Sequence, residues 1–267
     1  MPKTIIVLIP HPDDAEFYAG GTLAKLAEEG NKIIIVTTTD GCKGSFEHTS
    51  QELAALRAEE ATNAARVLGV EPPIFLGYKD FELDLLPAGT LREQYVHLIR
   101  QHKPDIVFAE DILELNEEVH PDHRAVALAA SDAIQYAMLP LLYPQHRKGG
   151  LEPHFVTEKY FFANNHTRVN KIIDISTSFD RKMAALAEHK TQVKFLVDDI
   201  FAQARLAGIE MPGLLGSAAT DHLAVLTLVM RSEAEELGQS AGFQYGEAFR
   251  YVRFDPLIES LLEGKLP

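Results

Sequence analysis

Residues 4–14 read TIIVLIPHPDD. Thr4 to Ile9 is an unbroken β-branched and aliphatic run with no polar alternation, the pattern of a strand covered on both faces inside a parallel sheet. Ala15 to Glu29 follows with Phe17, Leu23 and Leu26 at helical spacing and stops at Gly30, a helix C-cap. Lys32 to Thr38 repeats the buried-strand pattern, so the stretch spells a β-α-β unit with a right-handed crossover. Further out, Thr49 and Glu52 form a capping box for a helix that runs to about Leu68 and ends at Gly69. A short apolar run follows at Ile74 to Leu76, then a helix at Leu91 to Gln101 and a strand at Asp105 to Ala109. This rhythm predicts an α/β fold: a Rossmann-like, doubly wound, mostly parallel sheet flanked by helices through about residue 135.

Asp122 to Met138 reads as a helix closed by Pro140. The stretch Pro140 to Pro153 holds three prolines and two glycines, a surface excursion. Strands at Lys159 to Ala163 and Lys171 to Ile175, a long helical stretch from Ser178 to Leu206 and another at Leu223 to Glu236 make a smaller C-terminal β/α extension. With no internal repeat or linker, the expectation is one domain over residues 1–267, a core at 1–139 completed by 140–267.

Composition bounds the function classes. Hydrophobic residues at 46% supply a substantial core, and 25 basic against 39 acidic residues give a net charge of −14. A phosphate backbone is repelled by such a chain, so nucleic acid is not an expected partner. The lone Cys42 allows neither an internal disulfide nor a paired-cysteine zinc motif, as a reducing compartment leaves it. The apolar run Ile5 to Ile9 is too short for a signal or a membrane span. The expected place is the cytoplasm, without membrane attachment.

His11-Pro12-Asp13-Asp14 directly follows the first strand, at the carboxyl edge of the sheet where open α/β folds place their sites. Adjacent carboxylates and an imidazole there call for a positive charge, and a divalent cation is the simple remedy. The plainer alternative is that Asp13 or Asp14 caps the next helix. His120-Pro121-Asp122-His123 follows another strand after a loop and opens a helix, so both clusters meet at one edge. Two imidazoles and one carboxylate leave coordination positions open, which marks a catalytic centre; Zn²⁺ is the default and Fe²⁺ an alternative. Of Asp13 and Asp14, one ligates while its neighbour remains free as a base.

These motifs resemble the PIG-L/LmbE-like de-N-acetylases. The resemblance implies metal ligands at His11, Asp14 and His123, a general base at Asp13, and an oxyanion stabiliser or acid at His120, protonated and oriented by Asp122. It also picks out Glu16 with Gly20-Gly21, the Thr39-Asp40-Gly41 turn with Gly44, Arg57 to Glu60, His189 with Gln192, and Glu247 with Phe249. Asp40 and Arg57 are then expected to bind substrate. Some members carry a tyrosine two residues before the second motif, credited with helping the oxyanion; Glu118 stands there in this chain. The resemblance implies removal of an N-acetyl group from a small N-acetylglucosamine-type sugar or glycoside, and a homo-oligomer, a trimer or hexamer.

The remaining candidates have plainer readings. Arg57 pairs equally well with Glu59 or Glu60 on a helix surface. Gly41, Lys43 and Gly44 lack the Gly-Lys-Ser pattern of a phosphate loop. Histidines 48, 97, 102, 146, 154, 166 and 222 read as surface or satisfied polar groups; His189 suits a buried structural role as well as a site role; Cys42 has no activating base nearby. Two rivals stand beside the deacetylase: a metal hydrolase of another amide or ester, and a catalytically silent sugar-binding module, against which the intact Asp13 and His120 argue.

Overall fold

The computed structural model describes residues 1–116, 118–164, 167–211, 221–254 and 256–262; His166 lies outside them. Strands β1 (Thr4–Ile9), β2 (Lys32–Thr39), β3 (Ile74–Tyr78), β4 (Ile106–Glu110), β5 (Glu158–Phe162), β6 (Lys171–Asp174) and β7 (Gly246–Val252) form one seven-stranded sheet in the order β3-β2-β1-β4-β5-β7-β6. The first five run parallel, and β7 is antiparallel to both β5 and β6. The sheet is doubly wound and mostly parallel, with the β6–β7 pair as the extension. It draws strands from both sides of residue 139.

Alternation along β1 serves two cores. Ile6 and Leu8 join Val107, Ala109 and the apolar faces of α3 (Thr90–His102) and α4 (Pro121–Tyr136). Ile5, Val7 and Ile9 pack with Phe108, Phe162 and α1 (Asp14–Glu28) on the other face, where α2 (Ser50–Leu68) covers α1. The capping box at Thr49 and Glu52 is present, and Gly69 ends α2 in the left-handed conformation. An added Cβ at Gly21 would lie 2.8 Å from Ile175, so α1 packs where only glycine fits.

The extension departs from expectation in three places. The excursion contains a short helix, α5 (Pro144–Lys148). The stretch from Ser178 to Leu206 is two helices, α6 (Phe179–Leu186) and α7 (Lys190–Leu206), broken where fully buried His189 takes a non-helical conformation ahead of α7. Strand β7 carries no apolar run because its polar residues are partnered inside: Glu247 with Lys182, and Arg250 with Asp111. Helices α8 (His222–Ser240) and α9 (Pro256–Leu262) complete the described elements. No helix among the described residues is long and apolar enough to cross a membrane.

The strand order reverses between β1 and β4, and a crevice opens at that switch point beyond the carboxyl ends of the strands. The loops after these two strands carry both histidine motifs.

Candidate metal centre

Pro10 is fixed by β2: the amide and hydroxyl of Thr39 both donate to its carbonyl, at 2.8 and 2.9 Å. That delivers His11 to the crevice, where its backbone N–H donates to Asp14 Oδ2 at 2.7 Å. From the other loop, α4 presents His123 in its first turn. His11 Nδ1 and His123 Nε2 lie 3.2 Å apart, and the nearer Asp14 oxygens lie 3.4 Å from the first and 3.6 Å from the second. All three residues are buried.

Whether a cation fits here follows from the protons. His123 Nδ1 faces Glu110 Oε2 at 2.9 Å, so its proton belongs on Nδ1 and Nε2 offers a lone pair. His11 Nε2 points between Asp80 Oδ1 and Asp122 Oδ2, at 3.3 and 3.4 Å, without a well-directed bond to either. A proton on that nitrogen leaves the Nδ1 lone pair facing His123. Two lone pairs and a carboxylate then converge on one point, an arrangement that repels itself unless a cation sits there. Metal bonds of 2.0–2.1 Å at tetrahedral angles separate donors by about 3.4 Å, which the observed spacings bracket. The residues fit a divalent metal, with Glu110, Asp80 and Asp122 behind the ligands as orienting carboxylates.

Asp13 stands beside this trio and takes no part in it. Its position begins α1, yet its side chain makes no capping bond; the carboxylate instead accepts from Arg57 Nη2 at 2.8 Å. Its φ of 134° is one that residues other than glycine rarely adopt, a strain of about 1–3 kcal/mol held by its surroundings. Arg57 supplies much of that hold. It is buried, and it donates also to the carbonyls of Pro12 at 2.8 Å and Gly41 at 3.0 Å. A Cβ on Gly41 would sit 2.4 Å from that guanidinium. Arg57 is thus no surface partner of Glu59 or Glu60; it lines the cavity, and its Nε has no hydrogen-bond partner among the described residues. Burial pushes the Asp13 carboxyl up to about 6, against the pull of Arg57.

His120 precedes α4, and its Nδ1 accepts the backbone N–H of Asp122 at 3.2 Å. The remaining nitrogen, Nε2, is then the one that carries a proton. Burial lowers its pKa to about 4. The Asp122 carboxylate is placed otherwise than expected: it accepts the amides of Phe81 and Leu83 at 2.6 and 3.1 Å and faces His11. Its backbone, not its side chain, orients His120.

Other candidates sort by location. Asp40 does not line the cavity; it binds Lys79 Nζ at 2.7 Å and the amides of Cys42 and Asp80, shaping the loops that carry Lys43 and Asp80. Cys42 is buried. His189 lies 3.4 Å from Glu16, behind Asp13 and Arg57. Glu247 accepts the amides of Gly21 and Thr22 within α1 and pairs with Lys182 at 2.7 Å, a structural anchor. Glu118, in place of a tyrosine, accepts the His120 amide at 2.7 Å and the Asn164 side chain at 2.8 Å; Tyr18 donates to Asn164 at 2.6 Å. A phenol from α1 thus lines the cavity near His123. Sequence reasoning missed Glu110, Asp80 and Tyr18. The strand-end rule, applied to β3 and β4, reaches the first two; Tyr18 had no signal beyond its place in α1.

These residues open onto a cavity of about 580 Å³. A family model described as GlcNAc-PI de-N-acetylase, PIG-L, matches residues 6–134, which include both histidine motifs, Asp80 and Glu110. Diacetylchitobiose deacetylase of Thermococcus kodakarensis is 33% identical over 192 residues, 71% of this chain and 70% of that protein. A probable N-acetyl-alpha-D-glucosaminyl L-malate deacetylase 2 of Bacillus cereus is 23% identical over 208 residues, covering 76% of this chain and 90% of its own. Among solved structures, N,N'-diacetylchitobiose deacetylase from Pyrococcus horikoshii, in complex with an inhibitor, superposes with a TM-score of 0.76 at 29% identity, over 94% of this chain and 84% of that one.

Proposed function

The chain belongs to the GlcNAc-PI de-N-acetylase (PIG-L) family, and from that premise we propose that it is a zinc-dependent hydrolase that removes the N-acetyl group of an N-acetylglucosamine-type sugar or glycoside. One observation carries the reading: three donors spaced 3.2–3.6 Å apart, with Asp13 and His120 beside them and outside the donor set.

His11 Nδ1, Asp14 and His123 Nε2 would hold the metal. When bound, the metal supplies Lewis-acid chemistry, polarising the acetamide carbonyl and acidifying water. Asp13, a buried carboxylate outside the donor set, takes the proton of the water that attacks the carbonyl carbon. Arg57 fixes its direction. His120 donates its Nε2 proton as a hydrogen bond to the oxygen on which charge develops. Asp13 then returns its proton to the departing nitrogen, the carbon–nitrogen bond breaks, and acetate and a free amine leave.

Zinc suits the two-histidine, one-carboxylate set, and Fe²⁺ is the alternative for the same donors. Metal analysis of the purified protein, alongside acetate release from N-acetylglucosamine, its disaccharide and other amides or esters, tests the proposal. Acetate from N-acetyl sugars supports it; turnover confined to unrelated amides or esters removes the sugar assignment. A cytoplasmic setting accords with the lone reduced cysteine. A homo-oligomer, trimer or hexamer, accords with the exposed Leu139, Leu141 and Phe155 around the excursion, and light scattering measures it.

A further inference from the structure

The turn after β3 carries a residue that its own backbone does not favour. The Glu82 N–H closes the turn on the Lys79 carbonyl at 3.2 Å, and Phe81, third of its four residues, sits at φ 63°. Glycine or asparagine is at home in that region, which a bulky side chain occupies only under restraint. Burial offers little in return, because Phe81 is 50% exposed. The worth of a phenylalanine at this position therefore lies in what its ring touches.

That ring lies against His120. The two centroids are 4.1 Å apart at an interplanar angle of 55°, and both residues line the cavity. Asp122 registers the pair. Its carboxylate accepts the Phe81 amide at 2.6 Å and the Leu83 amide at 3.1 Å, which holds the turn in its strained form. Its backbone N–H donates to His120 Nδ1 at 3.2 Å. Phenyl ring and imidazole are thus tied to one residue from two directions, and their contact is built into the site.

His120 needs such support. It lies just ahead of α4, and among the described residues its ring makes one hydrogen bond, the one to the Asp122 amide. A single bond to Nδ1 leaves the imidazole free to tilt about it, and any tilt displaces Nε2, the donor. His11 and His123 also meet this ring, at 4.6 and 5.4 Å between centroids, but their own planes are committed to the metal. Phe81 is the ring neighbour without that duty. A donor stabilises developing charge only where it is held in place beforehand, and a small misplacement is costly in rate.

Resting on the deacetylase reading, we infer that Phe81 is a positioning residue: its ring, gripped through Asp122, holds the His120 imidazole so that Nε2 points at the oxygen on which charge develops. Phe81→Gly removes the ring and suits the turn, and Phe81→Asn, also at home at this φ, replaces it if that variant does not fold. Phe81→Tyr keeps the ring. Steady-state kinetics on the N-acetyl sugar that wild type turns over fastest compares these with His120→Ala and the double variant Phe81→Gly/His120→Ala. Phe81→Gly should lower kcat about tenfold, part of the 10²–10³-fold that loss of an oxyanion donor costs, with KM within about twofold of wild type. Zinc content should be unchanged, and Phe81→Tyr should keep kcat near wild type. In the His120→Ala background the same change should have no further effect on kcat, since the group through which the ring acts is gone. A loss that falls on KM would make Phe81 a contact of the substrate, and equal losses with and without His120 would make it a part of the fold. Either result overturns the positioning role and keeps the reaction. If no N-acetyl sugar yields acetate, the reaction falls, and carbon-13 relaxation of the His120 ring decides the positioning role by itself. A ring rigid in wild type and Phe81→Tyr but mobile in Phe81→Gly supports it; equal mobility in all three overturns it.

Discussion

Glu110 offers the sharpest test of how the metal centre is held. Its Oε2 sits 2.9 Å from His123 Nδ1, and the carboxylate is 2% exposed. A hydrogen bond to a charged group contributes about 1.5–3 kcal/mol. With about 1.4 kcal/mol per factor of ten, Glu110→Ala should weaken zinc binding about 10–100-fold, the range that loss of an outer-shell partner usually costs. Glu110→Gln keeps a neutral acceptor of roughly half the strength, and an intermediate loss is expected. The metal-free protein should respond in the opposite sense to Glu110→Gln. Burial raises the Glu110 carboxyl, against the pull of its His123 partner, so replacing that charge removes a net cost of burying it. Competition titration against a chromophoric zinc chelator gives the affinities, and thermal melts of the metal-free proteins give the stabilities. Zinc affinities within twofold of wild type for both variants, or tighter binding by Glu110→Ala than by Glu110→Gln, would refute the orienting role.

Other expectations are simpler. Arg57→Lys cannot reproduce the forked contacts to Asp13, Pro12 and Gly41; kcat should fall about 10–100-fold for the loss of a charged hydrogen bond, with zinc content intact by elemental analysis, and an unchanged kcat would show Asp13 needs no such hold. Glu247→Gln leaves Lys182 buried without its counter-charge and should cost about 3–5 kcal/mol in urea unfolding; a loss below 1 kcal/mol would mean the pair is not an anchor. Gly21→Ala forces a methyl to within 2.8 Å of Ile175 and should lower the melting temperature, whereas an unchanged melt would place α1 farther from β6 than described.

The parallel core was legible because burial on both faces writes itself into sequence as unbroken runs: Thr4 to Ile9 and Lys32 to Thr38 needed no tertiary context. The antiparallel β7 was not, since Gly246, Glu247 and Arg250 break its apolar pattern and become tolerable only through Lys182 and Asp111, far away in the chain. His189 likewise interrupts a helical pattern for a buried setting beside Glu16 that no local spacing reveals. The two histidine motifs were legible as compact words in the chain, and the crevice brings them together. Glu110 and Asp80 each arrive as single residues from separate strand ends, and their meaning exists only once the sheet is assembled. For Asp122 the residue was marked but its direction was not, because its carboxylate is claimed by the amides of Phe81 and Leu83, forty residues upstream. The cavity residues of α7 and α8 were invisible for the same reason: Gln192 and Glu233 reach one cavity only through helix packing.

Zinc stoichiometry and acetate release, measured side by side on wild type and Asp13→Asn, separate metal binding from proton transfer, because Asp13 touches Arg57 and none of the three proposed ligands is changed. About one zinc per chain is expected in both proteins, as a single three-ligand site requires, with acetate release in the variant reduced on the order of 10²–10⁴-fold. Undiminished release from Asp13→Asn, or from wild type stripped of metal and shown to be metal-free, would contradict the proposed mechanism.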